Sequence, residues 1–129
     1  MKVLIVDDNP SFLELSKTFL EVFHNIPSDT VESAREALKM LEKDSYDVIV
    51  SDYDMPVMNG IAFLKTIRDK RISIPFILFT GFGEEIMYQA IENGASSFLQ
   101  KTGDSKTQYL ELSKRIWQIV NNKELSPIS

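Results

Sequence analysis

The sequence predicts one α/β domain, a doubly wound (βα)5 unit around a five-stranded parallel sheet of order 2-1-3-4-5. Strand-like and helix-like stretches alternate five times along the 129 residues. Four of the five strand candidates are near-continuous apolar runs, the pattern of strands buried on both faces by crossover helices. The second candidate is polar and contains a proline, which suits an edge strand.

Val3 to Val6 is a short, β-branched run that stops at Asp7-Asp8. Asn9-Pro10 breaks it, and Pro10 or Ser11 opens a helix to about residue 24, with Phe12, Leu15, Phe19 and Phe23 at helical spacing, joined by Leu13 and Leu20. His24 falls at the surface near that helix's C-terminal dipole. Ile26 to Val31 is the polar strand, broken by Pro27. Ser33 and Glu36 form a capping-box pattern for a helix to about Lys43, with Ala34, Ala37, Leu38 and Leu41 inward. The third strand, about Asp47 to Ser51, ends in Asp52 and Asp54, and Asn59-Gly60 starts a helix to about Lys70 with Ile61, Leu64 and Ile67 on one side. Phe76 to Phe79 forms the fourth strand and carries Thr80 at its end, before Gly81-Phe82-Gly83. A helix from about Glu84 to Glu92 places Ile86, Ala90 and Ile91 inward and stops at Asn93-Gly94. Ser97 to Gln100 is the shortest strand, Lys101 follows it, and the last helix runs from about Asp104 to Asn121 with Tyr109, Leu112 and Ile116 spaced along it. The domain therefore covers residues 1–122, and residues 123–129 read as a tail or the start of a linker.

Composition narrows the function. The 43% hydrophobic and 26% charged content is that of one globular domain. With no cysteine and one histidine, thiolate zinc sites are excluded, and any metal must be held by oxygen, which favours Mg2+ or a similar hard cation. A reducing cytoplasm is compatible, and no apolar run approaches the length of a membrane span. Nineteen acidic against fourteen basic residues, a net charge of -5, argue against direct nucleic-acid binding through a basic face.

Ligands of open α/β sheets bind at the carboxyl ends of the strands. Four strand ends here carry the acids Asp7-Asp8, the carboxylates Asp52 and Asp54, the hydroxyl of Thr80 and the ammonium of Lys101. Close carboxylates repel and need a cation between them, and such a cation prefers phosphate oxygens as further ligands. An ammonium and a hydroxyl complete the neutralisation of a phosphoryl group. The implied chemistry is phosphoryl transfer onto a carboxylate, with Asp52, which follows a fully apolar strand, as nucleophile.

These residues carry a resemblance. Val6-Asp7-Asp8, the stretch SDYDMPVMNG from Ser51 to Gly60, Phe79-Thr80-Gly81 and Phe98-Leu99-Gln100-Lys101 together closely resemble response regulator receiver domains, the CheY-like family, over essentially the whole chain. The resemblance implies a two-component phosphoprotein in which Asp52 accepts a phosphoryl group from a histidine kinase or phosphotransfer protein. Asp8 ligates Mg2+ (or Mn2+) directly and Asp7 largely through water, with Asp52 and the backbone carbonyl of Asp54 completing the protein ligands. Thr80 and Lys101 contact phosphoryl oxygens, and Phe98 is the switch aromatic that turns inward when Thr80 moves. The readout surface is then the fourth helix, fifth strand and fifth helix, Met87 and Tyr88 included, and the chain is a phosphoacceptor rather than a turnover enzyme, with slow self-dephosphorylation at most.

The family's usual proline after the lysine is replaced by Thr102-Gly103, and a trans peptide is expected there. Asp54 and Phe82 stand where water approaches the acceptor, so Asp54→Asn is expected to change the rate of phosphoryl loss. The stretch KTGDSKTQYLEL is similar to receivers attached to sensor kinases in methanogenic archaea, which leaves the receiver portion of a hybrid kinase as an alternative. A haloacid-dehalogenase-type phosphatase using Asp52 and Asp54 is a second, but its acidic pair follows rather than precedes its DxD. Flavin binding on the same fold is opposed by the acidic first loop, and a non-phosphorylated interaction module remains a third possibility.

Overall fold

The computed structural model describes residues 1–123. Five parallel strands, β1 (Val3–Val6), β2 (Ser28–Val31), β3 (Val48–Ser51), β4 (Phe76–Thr80) and β5 (Ser97–Gln100), are ordered β2-β1-β3-β4-β5. The helices are α1 (Pro10–Thr18), continued by a π-helical turn over Phe19–Phe23, α2 (Ala34–Lys43), α3 (Gly60–Asp69), α4 (Glu84–Glu92) and α5 (Ser105–Lys123). Of the expected tail at residues 123–129, residue 123 is the last of α5, and residues 124–129 lie outside the described residues.

The apolar runs are apolar because alternate residues enter two separate cores. Leu4, Val6, Ile49, Phe76 and Leu78 face Ala34, Ala37, Ile61, Phe63, Leu64, Ile67, Ile86 and Ala90 of α2, α3 and α4. Val3, Ile5, Val48, Val50, Ile77 and Phe79 face Leu13 of α1, Leu20 of its π-helical continuation, and Tyr109, Leu112 and Ile116 of α5. Polar β2 is the edge strand, and Tyr46 donates its hydroxyl to Asp29 of that strand at 2.6 Å. Three helices, α1, α2 and α3, begin where a side chain satisfies a free N–H group: Asn9 accepts from Phe12 N, Ser33 from Glu36 N and Asn59 from Ala62 N.

Three inward positions are corrected. Leu15 and Phe23 of the first helix are 38% and 66% exposed. The buried stripe runs through Leu13, Ser16 and Leu20 instead, and the π-helical turn inserts extra residues that rotate Phe23 away from the sheet. Ile91 is also exposed, because Ile86 and Ala90 already fill the inner face of α4. The second strand starts at Ser28 rather than Ile26, since Ile26 N is drawn back to Leu20 O at 2.8 Å.

Candidate functional site

Strand register assembles the site. Val6 pairs with Ser51, so Asp7 and Asp52, the next residues of adjacent strands, emerge at one rim, where Asp52 N donates to Val6 O at 2.9 Å. Ser51 pairs with Leu78 and Thr80 with Gln100, which brings Thr80 and then Lys101 to the same rim. Lys101 N donates to Thr80 O at 2.7 Å, fixing the two strand ends to each other.

The side chains converge as the strand ends predict. Lys101 Nζ lies 2.9 Å from Asp7 Oδ2 and 3.6 Å from Asp52 Oδ2. Its ammonium also stands 3.9 Å from the centre of the Phe12 ring, a cation–π contact that holds it from below. Asp7 is buried and its second oxygen accepts from Asn9 N at 3.0 Å, whereas Asp8 is exposed and open to solvent. Thr80 is fully buried beside Asp52, and Asp52 Oδ1 accepts from Tyr53 N at 2.8 Å.

Burial pushes the Asp52 carboxyl above its ordinary value; Lys101 acts against this, Asp7 adds to it, and the Thr80 hydroxyl and Tyr53 N–H favour the ionised form. The acids outnumber the ammonium. One carboxylate oxygen from each of Asp7, Asp8 and Asp52 lies within 4.8 Å of the others, a donor set that fits a hard divalent cation such as Mg2+ and offers nothing for a soft one. The side chain of Asp54 is exposed and makes no hydrogen bond among the described residues. Phe98 is half-buried against the core of α2, α3 and α4, with its ring not fully enclosed.

Three features were not anticipated from the sequence. Gln108 of α5 is buried, and its Oε1 accepts from Thr102 N at 3.0 Å and Gly103 N at 3.4 Å. Arg115 donates from Nη1 to Ser97 Oγ at 2.7 Å and to Phe98 O at 2.8 Å, tying β5 to α5. Phe82 meets Tyr53 edge to face at 5.2 Å, an aromatic pair beside Asp52. Gln108 adjoins the inward Tyr109, but as a polar residue in an apolar stripe it gives no sign in the sequence of the loop it serves. The peptide after Lys101 is trans, as expected.

Residues 3–112 match the model of the response regulator receiver domain. The chain is 34% identical over 131 residues to the two-component response regulator ARR11 of Arabidopsis thaliana, covering 99% of this chain and 24% of that protein. It is 32% identical over 114 residues to a protein-glutamate methylesterase/protein-glutamine glutaminase of Treponema denticola, covering 85% of this chain and 31% of the relative. The chain thus spans between about a quarter and a third of those relatives. Among solved structures it superimposes on the Francisella response regulator 1452 receiver domain with a TM-score of 0.85 at 28% identity, covering 95% of this chain and 98% of that one. The chemotaxis response regulator CheY4 of Vibrio cholerae gives 0.79 at 31% identity, covering 89% and 97%. Neither the hybrid-kinase portion nor the haloacid-dehalogenase-type phosphatase is favoured by these matches. No helix among the described residues is long and apolar enough to cross a membrane. Strand order, rim chemistry and a match across residues 3–112 agree: the chain belongs to the response regulator receiver domain family of two-component signalling.

Proposed function

We propose that Asp52 accepts a phosphoryl group from the phosphohistidine of a sensor histidine kinase or phosphotransfer protein, and that the phosphorylated domain signals through a changed surface. The observation that carries this reading is the meeting of Lys101, Asp7 and Asp52 at one rim, with Thr80 beside them.

In the transfer, a carboxylate oxygen of Asp52 forms the new O–P bond as the P–N bond of the donor breaks. The electron pair of that bond leaves on the donor's imidazole nitrogen. Lys101 holds positive charge where the phosphoryl oxygens arrive, and the Thr80 hydroxyl is placed to donate to one of them. Asp8, Asp7, Asp52 and the backbone carbonyl of Asp54 would hold the Mg2+ (or Mn2+). When bound, the ion supplies charge that offsets the carboxylates and the incoming phosphate. The chain is an acceptor and not a turnover enzyme.

Signalling then follows from differential contacts. A dianionic group at Asp52 favours the packing in which Thr80 reaches it, and the Gly81 to Gly83 loop and α4 follow. Phe98, half-buried on β5, can turn inward into space that Thr80 vacates. The face of α4, β5 and α5, where Tyr88 is exposed and Met87 half-buried, presents the change to a downstream protein or an attached domain. We place this exchange in the cytoplasm, with no direct nucleic-acid contact by this domain.

The test is incubation with a small phosphodonor such as acetyl phosphate, with Mg2+ or with a chelator, followed by intact mass. One phosphoryl on the wild type, lost in Asp52→Asn and with chelator, is expected. Equal labelling of Asp52→Asn would overturn the assignment.

A further inference from the structure

The loop after β5 carries Lys101 to the site, and among its described neighbours a side chain of α5 holds it. Thr102 N and Gly103 N both donate to Oε1 of Gln108, at 3.0 and 3.4 Å, and Gln108 is 4% exposed. Gly103 takes φ +87, a left-handed conformation that lets two successive N–H groups point at one oxygen. Asp104 N donates to Thr102 Oγ1 at 3.4 Å, and Asp104 accepts from Thr107 Oγ1 at 2.7 Å, so the turn is closed against the start of α5. The next residue, Tyr109, is fully buried and packs against Phe12 and Phe79, the two rings that lie beneath the Lys101 ammonium. One turn of α5 therefore fixes the loop on one side and the platform of the ammonium on the other.

We propose that Gln108 is a positioning residue for phosphoryl acceptance: its buried carboxamide oxygen, by gathering the N–H groups of Thr102 and Gly103, sets where the Lys101 ammonium stands relative to Asp7 and Asp52. The proposal rests on Asp52 being the acceptor. A buried carboxamide is an expensive way to fill a helix face that an apolar residue would fill more simply, and here it earns its place by satisfying two loop donors. Without it, Thr102 N and Gly103 N seek water, the loop relaxes, and Lys101 loses the placement that the transfer requires.

The experiment compares rates of phosphorylation by acetyl phosphate with Mg2+ in wild type, Gln108→Leu and Gln108→Glu, each also in a Lys101→Met background. Gln108→Leu is expected to slow phosphorylation roughly tenfold, and Gln108→Glu, which keeps an acceptor oxygen, to stay within about threefold of wild type. In the Lys101→Met background the Leu substitution should change the rate by less than about twofold, because the two residues act through one placement. An equal loss in both backgrounds, or no loss in either, overturns the proposal. A wild type that takes up no phosphoryl removes the acceptor reading beneath it and the proposal together, whereas a labelled wild type with an unchanged Gln108→Leu removes this proposal alone. Hydrogen exchange in the wild type gives a readout free of any folding defect: slow exchange at Thr102 and Gly103 supports the clamp, and rapid exchange at both overturns it.

Discussion

Gly60 is pressed against the backbone of Asp52: a β-carbon on Gly60 would stand 2.2 Å from the Asp52 carbonyl oxygen and 3.0 Å from Tyr53 Cα. Both obstacles are main chain and cannot swing away. Gly60 N also donates to Tyr53 O at 2.8 Å, so the first residue of α3 and the acceptor loop form one unit. Gly60→Ala should therefore cost on the order of 3 kcal/mol or more and displace Asp52. Denaturant unfolding and the phosphodonor assay measure the two effects; a variant with wild-type midpoint and labelling would contradict this contact.

Asp52 is an acid whose carboxyl burial pushes up, so the fold favours its neutral form. With the folded value above the unfolded one, ionisation of Asp52 works against stability: the penalty builds as pH rises above the unfolded value, is full above the folded one, and is relieved as pH falls from the folded to the unfolded value. Removing the charge should raise the melting temperature of the ion-free protein at neutral pH, so Asp52→Asn is expected to melt above wild type in chelator. Added Mg2+ should stabilise the wild type more than the variant, narrowing the gap. Thermal scans with and without Mg2+ read both, and a variant that melts below wild type in chelator would contradict the account.

Tyr109 reports on the core beneath the site. Burial raises its phenol to about 12, with Asp7 adding to the shift and the 2.6 Å bond to Ser16 Oγ acting against it. A raised folded value favours the neutral phenol, so its contribution to stability is whole below about pH 10 and fades as pH climbs toward the folded value. The tyrosinate absorbance difference between wild type and Tyr109→Phe should therefore have its midpoint near 12. A midpoint at the ordinary phenol value would show that the ring is not enclosed.

Arg68 joins the far end of α4 to α3. Its guanidinium donates to Gly94 O at 2.9 and 3.2 Å, to Ile72 O at 2.8 Å and to Ile74 O at 2.9 Å, all main-chain oxygens. Arg68→Met should lower stability by about 2–3 kcal/mol, since several carbonyls lose a charged donor at once. Urea unfolding gives the value, and a loss under about 0.5 kcal/mol would mean that water replaces the guanidinium without cost.

Much of this molecule is legible in its residues because burial on both faces of a parallel sheet writes unmistakable apolar runs, and register then places whatever follows each run. Val3 to Val6 and Val48 to Ser51 are such runs, and Asp7 and Asp52 come to one rim for that reason alone. Helix faces were less legible. Phe23 faces outward because a π-helical turn breaks the 3.6-residue helical period, and Ile91 does so because Ile86 and Ala90 already fill the inner face of α4. The role of Gln108 was hidden for a different cause: a polar residue inside an apolar stripe reads as surface until the loop it serves is seen folded over it.

The assignment of Asp52 as phosphoryl acceptor depends on groups distant along the chain meeting at one rim of the sheet. The most direct measurement is borohydride reduction of protein treated with Mg2+ and acetyl phosphate, followed by peptide mass analysis, since an aspartyl phosphate is reduced to homoserine and a free carboxylate is not. Homoserine at position 52 and at no other aspartate is the expected result. Homoserine at Asp8 or Asp54 with residue 52 unmodified, or none anywhere, would contradict it.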